Sequence, residues 1–505
     1  MIDISSKSLK RFFFAHASST DVLAMVIIGI ILIARLVYIL FLGLIPDETY
    51  YWDWSRELSF GYFDHPPMIA WIIHLSTTVF GLTNLGVRSG VLVASSLASV
   101  FSYFLAKQYI KNEKALLFFL IVSNSILLFG IGTLLATPDI PLMLFWSSSL
   151  LLAYFAIFKG NSLSWILLGV SSGFGLLSKY TFILFFVALF LFLIFSKQQR
   201  KWFTQWQTYA AMAISFLLFI PNLIWNSQHS WVSFAFQFAH GVNSRTSLNW
   251  DSFGEFIGGQ AGVMSGFVFV VLFIALFRLW KSALTDDRIA YIVWFFCVPF
   301  GVFLAASLQK SVEANWAATS YVAGLLLIGI LWDTLDNKRN KLLRQFMMFA
   351  VGFAMVTTIV VLIHLQIPFL PLPPGNDPAS QSRGWKGFAD HVEKIRLSLD
   401  PNHSLGVCAN RYQEASMLGF FLPDHPKTTS LNIHARPNTY ALFPSRKSIS
   451  AGSFIFVLPS QDPIDGPEFS HTFASIENRG QAVLQYSKKQ ATIYNVYLAR
   501  LQKHL

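Results

Sequence analysis

The stretch Pro46-Asp47-Glu48-Thr49-Tyr50-Tyr51-Trp52-Asp53-Trp54, continuing to Gly61-Tyr62-Phe63-Asp64-His65-Pro66-Pro67, decides how the rest of the chain is read. It follows directly on an apolar run, residues 22–45, long enough to cross a bilayer. Two adjacent carboxylates therefore stand where that helix leaves the hydrocarbon. Acidic groups at that depth are costly unless they are paired or face a wet cavity, which makes them functional candidates by default. The plain alternative is an interfacial loop in which Tyr50, Tyr51, Trp52 and Trp54 form an aromatic belt. The aromatics suit that alternative; Asp47, Glu48, Asp53, Asp64 and His65 within nineteen residues suit it less.

Outward from this stretch the chain is mostly apolar. Of 505 residues, 54% are hydrophobic and 12% charged, which implies a polytopic membrane protein. Apolar segments recur at about 21–46, 84–106, 115–135, 140–158, 163–177, 181–196, 209–225, 261–280, 289–308, 316–332 and 346–367, giving eleven spans. Residues 68–79 are apolar but short and read as an interfacial helix. Lys7, Lys10 and Arg11 precede a run too long for a signal peptide, so residues 1–17 read as a retained cytoplasmic end. With that end inside, the inner segments hold seventeen Lys and Arg. The outer ones before residue 368 hold five: Arg56, Arg88, Lys179, Arg245 and Lys310. This asymmetry is what the positive-inside rule expects. It puts residues 47–67, Thr137-Pro138-Asp139, 227–260 and 309–315 together on the outer side. The net charge of +11 then belongs to membrane loops, and no nucleic-acid partner is expected. Cys297 and Cys408, one in an apolar run and one in the polar tail, imply no disulfide framework.

The fold class expected is an all-α membrane bundle over residues 1–367, then a Pro-rich linker at 368–375, then an outer α/β domain at 376–505. In the tail, 385–399 has helical spacing, 404–409 and 453–458 look like buried strands, and 481–486 and 492–497 alternate like further strands. Neither a Walker A sequence nor a dinucleotide fingerprint is present, so nothing indicates nucleotide as direct substrate.

Several residues could carry chemistry. Asp47 and Glu48 could take a proton from an acceptor hydroxyl as general base. Neighbours on a helix diverge by about 100°, so the two should have different roles. Asp139 opens a span, where the helix dipole alone would favour a carboxylate; its functional reading rests on facing the same side as Asp47. His65 could cap a phosphate as a cation, or with Asp64 offer two ligands to a divalent metal. Completion of such a site would need His229 or His240, whose spacing matches no zinc pattern. Lys310, Arg245 and Lys179 are the outward cations for a phosphate leaving group. Lys310 is the best placed, because Glu313, Asn315 and Trp316 crowd the same short loop. Residues 225–231, with Trp225, Asn226, His229 and Trp231, mix groups suited to sugar recognition.

These motifs resemble the outer loops of the GT-C membrane glycosyltransferases. The resemblance lies in Asp47-Glu48-Thr49-Tyr50, Gly61 to Pro67, Thr137-Pro138-Asp139, Gly175 to Thr181, Trp225 to Trp231 and Asn410 to Ser416. The relatives are protein O-mannosyltransferases, lipid A aminoarabinose transferases and bacterial galacturonosyl transferases of lipopolysaccharide. The resemblance implies a polyprenyl-phosphate-linked sugar as donor, Asp47 as the catalytic carboxylate and Asp139 as a second essential acid. It also implies that residues around Asp64 and His65 meet the donor phosphate. The chain departs from the aminoarabinose transferases at Tyr50, where they carry Arg, and at Asp64-His65, where they carry Glu-Lys. Both changes remove a fixed cation, leaving Lys310, Arg245 or a metal to supply it.

The expectation is inverting transfer of the sugar to a hydroxyl of an envelope acceptor (lipid A, core oligosaccharide or protein) at the outer face of the bacterial inner membrane. Catalysis falls to Asp47, Glu48 and Asp139; Tyr50, Asp64, His65, Lys310, Arg245, Glu313 and His229 would bind the donor. The tail is placed to bind acceptor or cap the site. The rival reading, a transporter or flippase for a lipid-linked sugar with a periplasmic sensing domain, requires ionisable groups at mid-span, where Arg35 is the main one.

Overall fold

The computed structural model describes residues 18–241, 248–373, 377–446, 449, 452–464, 467–487 and 490–502. A helical bundle runs through Gln366 and is followed by a five-stranded sheet with its own helices. Among the described residues, seven helices are long and apolar enough to cross a membrane, or nine if each of two bent pairs counts as one span. The chain is a multi-pass membrane protein. The expected count of eleven is not reached by that measure. Segments 163–177 and 181–196 are the shorter helices Ser162–Leu176 and Tyr180–Phe195. At about 1.5 Å per residue neither alone spans a hydrocarbon core of about 30 Å. Residues 68–79 form the helix Met68–Phe80, of 13 residues.

Two of the expected spans are broken. Glu113–Ser125 meets Leu127–Leu134 at 76°, and Trp250–Val263 meets Phe267–Ala283 at 99°. The second break turns at Gly266, whose φ of +52° is open to glycine without a Cβ penalty. The first leaves carbonyls without intrahelical donors, a large cost away from water. Arg35 reaches across from the helix Ser19–Ile39 and supplies one: Nη2 donates to Phe129 O at 2.8 Å and to Asn124 Oδ1 at 3.4 Å. The mid-span charge is thus engaged in holding a helix break.

In the tail the strands are β1 (Gly406–Ala409), β2 (Thr428–Ser430), β3 (Ser453–Pro459), β4 (Phe473–Ser487) and β5 (Gln490–Leu501). Their order is β2-β1-β3-β5-β4. β1 runs parallel to β2 and β3, while β5 lies antiparallel between β3 and β4. The helix Trp385–Leu399 packs Phe388, Ala389 and Val392 against Val407, Ile455 and Val496 of the sheet. Four strands fall where alternation or apolar runs placed them. β2 has three residues, too few for any periodicity to show.

The two parts share a core. Tyr50, Tyr51, Trp52 and Trp54, on the helix Pro46–Ser55, cluster with Ala409, Ala415, Phe420, Tyr440 and Phe443 of the tail. The aromatics that resembled a membrane belt are instead buried between bundle and sheet domain. Beneath them Arg446 donates to Asp53 Oδ2 at 2.6 Å through Nη1 and to Asp53 Oδ1 at 2.9 Å through Nη2, with both side chains fully buried. Arg446 Nη1 also donates to Thr428 O at 2.5 Å, and Nε to Glu57 Oε1 at 3.1 Å.

Candidate active site

The short helix Pro46–Ser55 explains why two adjacent acids have different surroundings. Pro46 opens it, where a missing N–H costs nothing. Asp47, Tyr50 and Tyr51 follow at i, i+3 and i+4, so they share one face, and all three line a cavity of about 1060 Å³. That volume lies at the upper end of small-molecule sites. Glu48 turns the other way and is fully buried. Its Oε1 accepts from Arg88 Nε at 2.6 Å and from Ala136 N at 2.9 Å; its Oε2 accepts from Ile45 N at 3.0 Å and pairs with Arg88 Nη2. Arg88 in turn donates to Leu42 O and Gly43 O at 2.7 and 2.8 Å. The expectation that Glu48 is catalytic is therefore corrected. Its acceptor positions are taken by groups that pin the first span, the Pro46–Ser55 helix and the approach to Asp139 together.

Asp47 Oδ1 accepts from Tyr412 Oη at 3.0 Å. Burial raises its pKa, Tyr412 and Arg436 oppose the rise, and the charges of Glu48 and Glu313 add to it. Asp139 stands at the start of the helix Asp139–Phe158 on the same cavity. Lys179 Nζ donates to its Oδ1 at 2.7 Å and Asn315 Nδ2 to its Oδ2 at 2.9 Å. Carboxylates from two separate turns of the bundle thus face one space. Asp64 accepts from Tyr50 Oη at 2.7 Å and from Arg436 Nη2 at 2.6 Å. Burial is the main cause that pushes its carboxyl up to about 6, against the pull of Arg436 and Tyr50. Tyr50 Oη also accepts from Thr439 N at 2.8 Å, which fixes the phenol. His65, Glu313, Asn315, Trp316 and Lys179 complete the polar wall.

Other expected site residues do not join this wall. Lys310 lies behind it, its Nζ 5.6 Å from the ring centre of Trp316 and buried, and burial lowers its pKa. His229 stacks on Trp225 at 4.2 Å, with its Nδ1 2.8 Å from Trp225 O. Trp225 itself wedges against Gly61, where an added Cβ would come within 2.4 Å of the indole. This part of 225–231 is therefore packing, while Trp231 reaches the cavity. Arg245 and the side chain of His240 lie outside the described residues. A metal at Asp64 and His65 is disfavoured by the donor set: each Asp64 oxygen already accepts a hydrogen bond, one of them from a guanidinium. The sequence reading missed Arg436 altogether, because it sits in an irregular polar loop with no spacing to mark it. Tyr412 was visible within the 410–416 motif, but without a role.

The family described as dolichyl-phosphate-mannose-protein mannosyltransferase matches residues 64–225. The lipid A galacturonosyltransferase RgtD of Rhizobium johnstonii is 32% identical over 298 residues, covering 56% of this chain and 59% of that protein. The undecaprenyl phosphate-alpha-4-amino-4-deoxy-L-arabinose arabinosyl transferase 2 of Proteus mirabilis is 25% identical over 293 residues, 52% of this chain and 51% of that one. The chain thus matches only about half the length of these curated relatives. The crystal structure of ArnT from Cupriavidus metallidurans in the apo state superposes with a TM-score of 0.65 at 14% identity, covering 94% of this chain and 97% of that one. The form bound to undecaprenyl phosphate gives 0.62 at 16%, with 95% and 98% covered.

The chain shares the fold of ArnT and resembles, over part of its length, lipid-linked-sugar glycosyltransferases of the membrane.

At these identities the fold is what is shared with ArnT. Around the cavity the described fixed cations are Lys179 on the bundle side and Arg436 on the tail side.

Proposed function

We propose that this protein transfers a sugar from a polyprenyl-phosphate donor to a hydroxyl of an envelope acceptor, with inversion at the anomeric carbon. Lipid A, named in the galacturonosyltransferase relative, is the first acceptor to test; core oligosaccharide and protein follow. The reading places the N-terminus in the cytoplasm and the cavity and the domain 376–505 on the periplasmic side of a bacterial inner membrane, as the loop charges suggest. The observation that carries it is the shared cavity of Asp47 and Asp139, walled by Lys179 and Arg436.

In this mechanism the acceptor oxygen attacks the anomeric carbon and its proton passes to Asp47. The bond from that carbon to the phosphate oxygen breaks, and its electron pair leaves with the polyprenyl phosphate. Among the described residues, Asp47 Oδ2 has no hydrogen-bond donor, while Oδ1 is held by Tyr412. A base whose pKa is raised by burial takes a proton more readily than an ordinary carboxylate. Asp139 holds Lys179 and Asn315 at the wall, where negative charge accumulates on the leaving phosphate. His65 lines the same wall. Glu48 and Lys310 have no part in the step.

A pH consequence follows. Asp47 must be ionised to act, and its pKa is raised, so the acid limb of kcat/KM lies above the ordinary aspartate value of about 3.9. Activity is lost as pH falls through that limb. A profile flat down to pH 4 would contradict the role.

The deciding experiment supplies purified protein with undecaprenyl-phosphate sugar and lipid A in proteoliposomes. Mass spectrometry should find lipid A heavier by one sugar residue, with equimolar release of undecaprenyl phosphate. Movement of the lipid-linked sugar across the bilayer without a glycosidic product would instead support the flippase. That alternative is weakened by Arg35, its main mid-span charge, which is engaged in a helix break.

A further inference from the structure

The cavity holds more acids than fixed cations. Its described wall carries Asp47, Asp64, Asp139 and Glu313 against Lys179 and Arg436, with His65 beside them. A donor phosphate entering that space needs a cation with donors to spare. Lys179 faces the leaving phosphate from within the wall, but its side chain is only 8% exposed and it gives one of its three donors to Asp139 at 2.7 Å. Arg88 is sealed beneath the cavity by Glu48 and two carbonyls. Lys310 lies over Trp316 and off the wall.

Arg436 differs. Nη2 gives one hydrogen bond to Asp64, and among the described residues the guanidinium makes no other. Its side chain is 42% exposed, although it lines the cavity. The guanidinium plane is fixed without using its N–H groups: Cζ lies 4.9 Å from the centre of the Phe236 ring and 5.4 Å from that of Tyr412. Such a group has five donors in a planar fork matched to phosphate oxygens, most of them uncommitted here. Tyr412, the ring it lies over, donates to Asp47. The cation and the base are therefore held by one connected patch of the C-terminal domain. Tyr50 helps anchor the Asp64 that Arg436 grips.

We propose that Arg436 is the fixed cation that receives the donor phosphate, so that the donor site is completed by the C-terminal domain rather than by the bundle alone. This rests on the transferase reading and names the residue and the domain that give it phosphate specificity.

The test uses the full chain in nanodiscs, with undecaprenyl phosphate and undecaprenol as probes, and the transfer assay in parallel. Wild type should prefer the phosphate to the alcohol. Arg436→Gln should lose that preference at least tenfold and raise the donor KM far more than it changes kcat; Arg436→Lys should recover part of both. Asp47→Asn should bind the phosphate like wild type. If wild type transfers sugar and Arg436→Gln binds undecaprenyl phosphate within twofold of it, this inference fails alone. A wild type that does not prefer the phosphate overturns the transferase reading with it. Should Arg436→Gln not fold, Arg436→Lys decides: affinity for undecaprenyl phosphate unchanged within twofold overturns the proposal, and a several-fold loss supports it.

Discussion

Asp47→Asn is expected to abolish transfer, with a loss of about 10²–10⁴-fold or more in kcat, and to leave donor binding and folding intact. The substitution keeps the volume of the side chain and an oxygen that can accept from Tyr412. It removes the one property the proposed step needs, a carboxylate able to take the acceptor's proton. The rest of the Pro46–Ser55 helix should be undisturbed, because Glu48 and Asp53, not Asp47, are its structural acids. Binding of undecaprenyl phosphate and the melting temperature are the controls. Turnover within a few-fold of wild type would remove Asp47 from the mechanism.

The second large effect is on stability. Arg446→Ala is expected to cost about 3–5 kcal/mol, the range for breaking a buried ion pair from one side. Both partners are fully buried, so the stranded Asp53 carboxylate has no water to turn to. Arg56 is the remaining cation near it, at 3.2 Å and partly exposed. The expected signs are a lowered melting temperature and protease cuts within 377–502. Replacing both partners with apolar residues, Arg446→Met with Asp53→Leu, should recover much of the loss, because the stranded charge is then gone. An unchanged melting temperature in the single variant would mean that the domain is held by its aromatic contacts alone.

The legible parts of this molecule are those in which one physical rule acts along the chain. Apolar runs marked the helices, loop charge indicated a common side for Asp47, Asp64 and Asp139, and alternation marked β4 and β5. What stayed hidden depends on partners distant in sequence. Glu48 and Asp47 are adjacent letters, and only the positions of Arg88 and Tyr412 separate a structural acid from the candidate base. The spans 115–135 and 261–280 read as continuous because apolar composition is indifferent to a bend. Trp52 and Trp54 suit a lipid interface as well as a protein core, and the sheet domain that covers them begins more than three hundred residues later. Lys310 looked best placed on the strength of its neighbours, yet side-chain direction within a loop is not written in spacing.

The weld between residues 46–67 and the sheet domain has a consequence for how such proteins diverge. A polar tail behind a proline-rich linker looks like a detachable module, free to be traded for another. Here Asp53 with Arg446, Asp64 with Arg436 and Thr49 with Ser416 are lock-and-key pairs across the seam. Drift on one side is tolerated only with a matching change on the other. A chimera grafting a relative's tail onto this bundle must carry that relative's first outer loop as well.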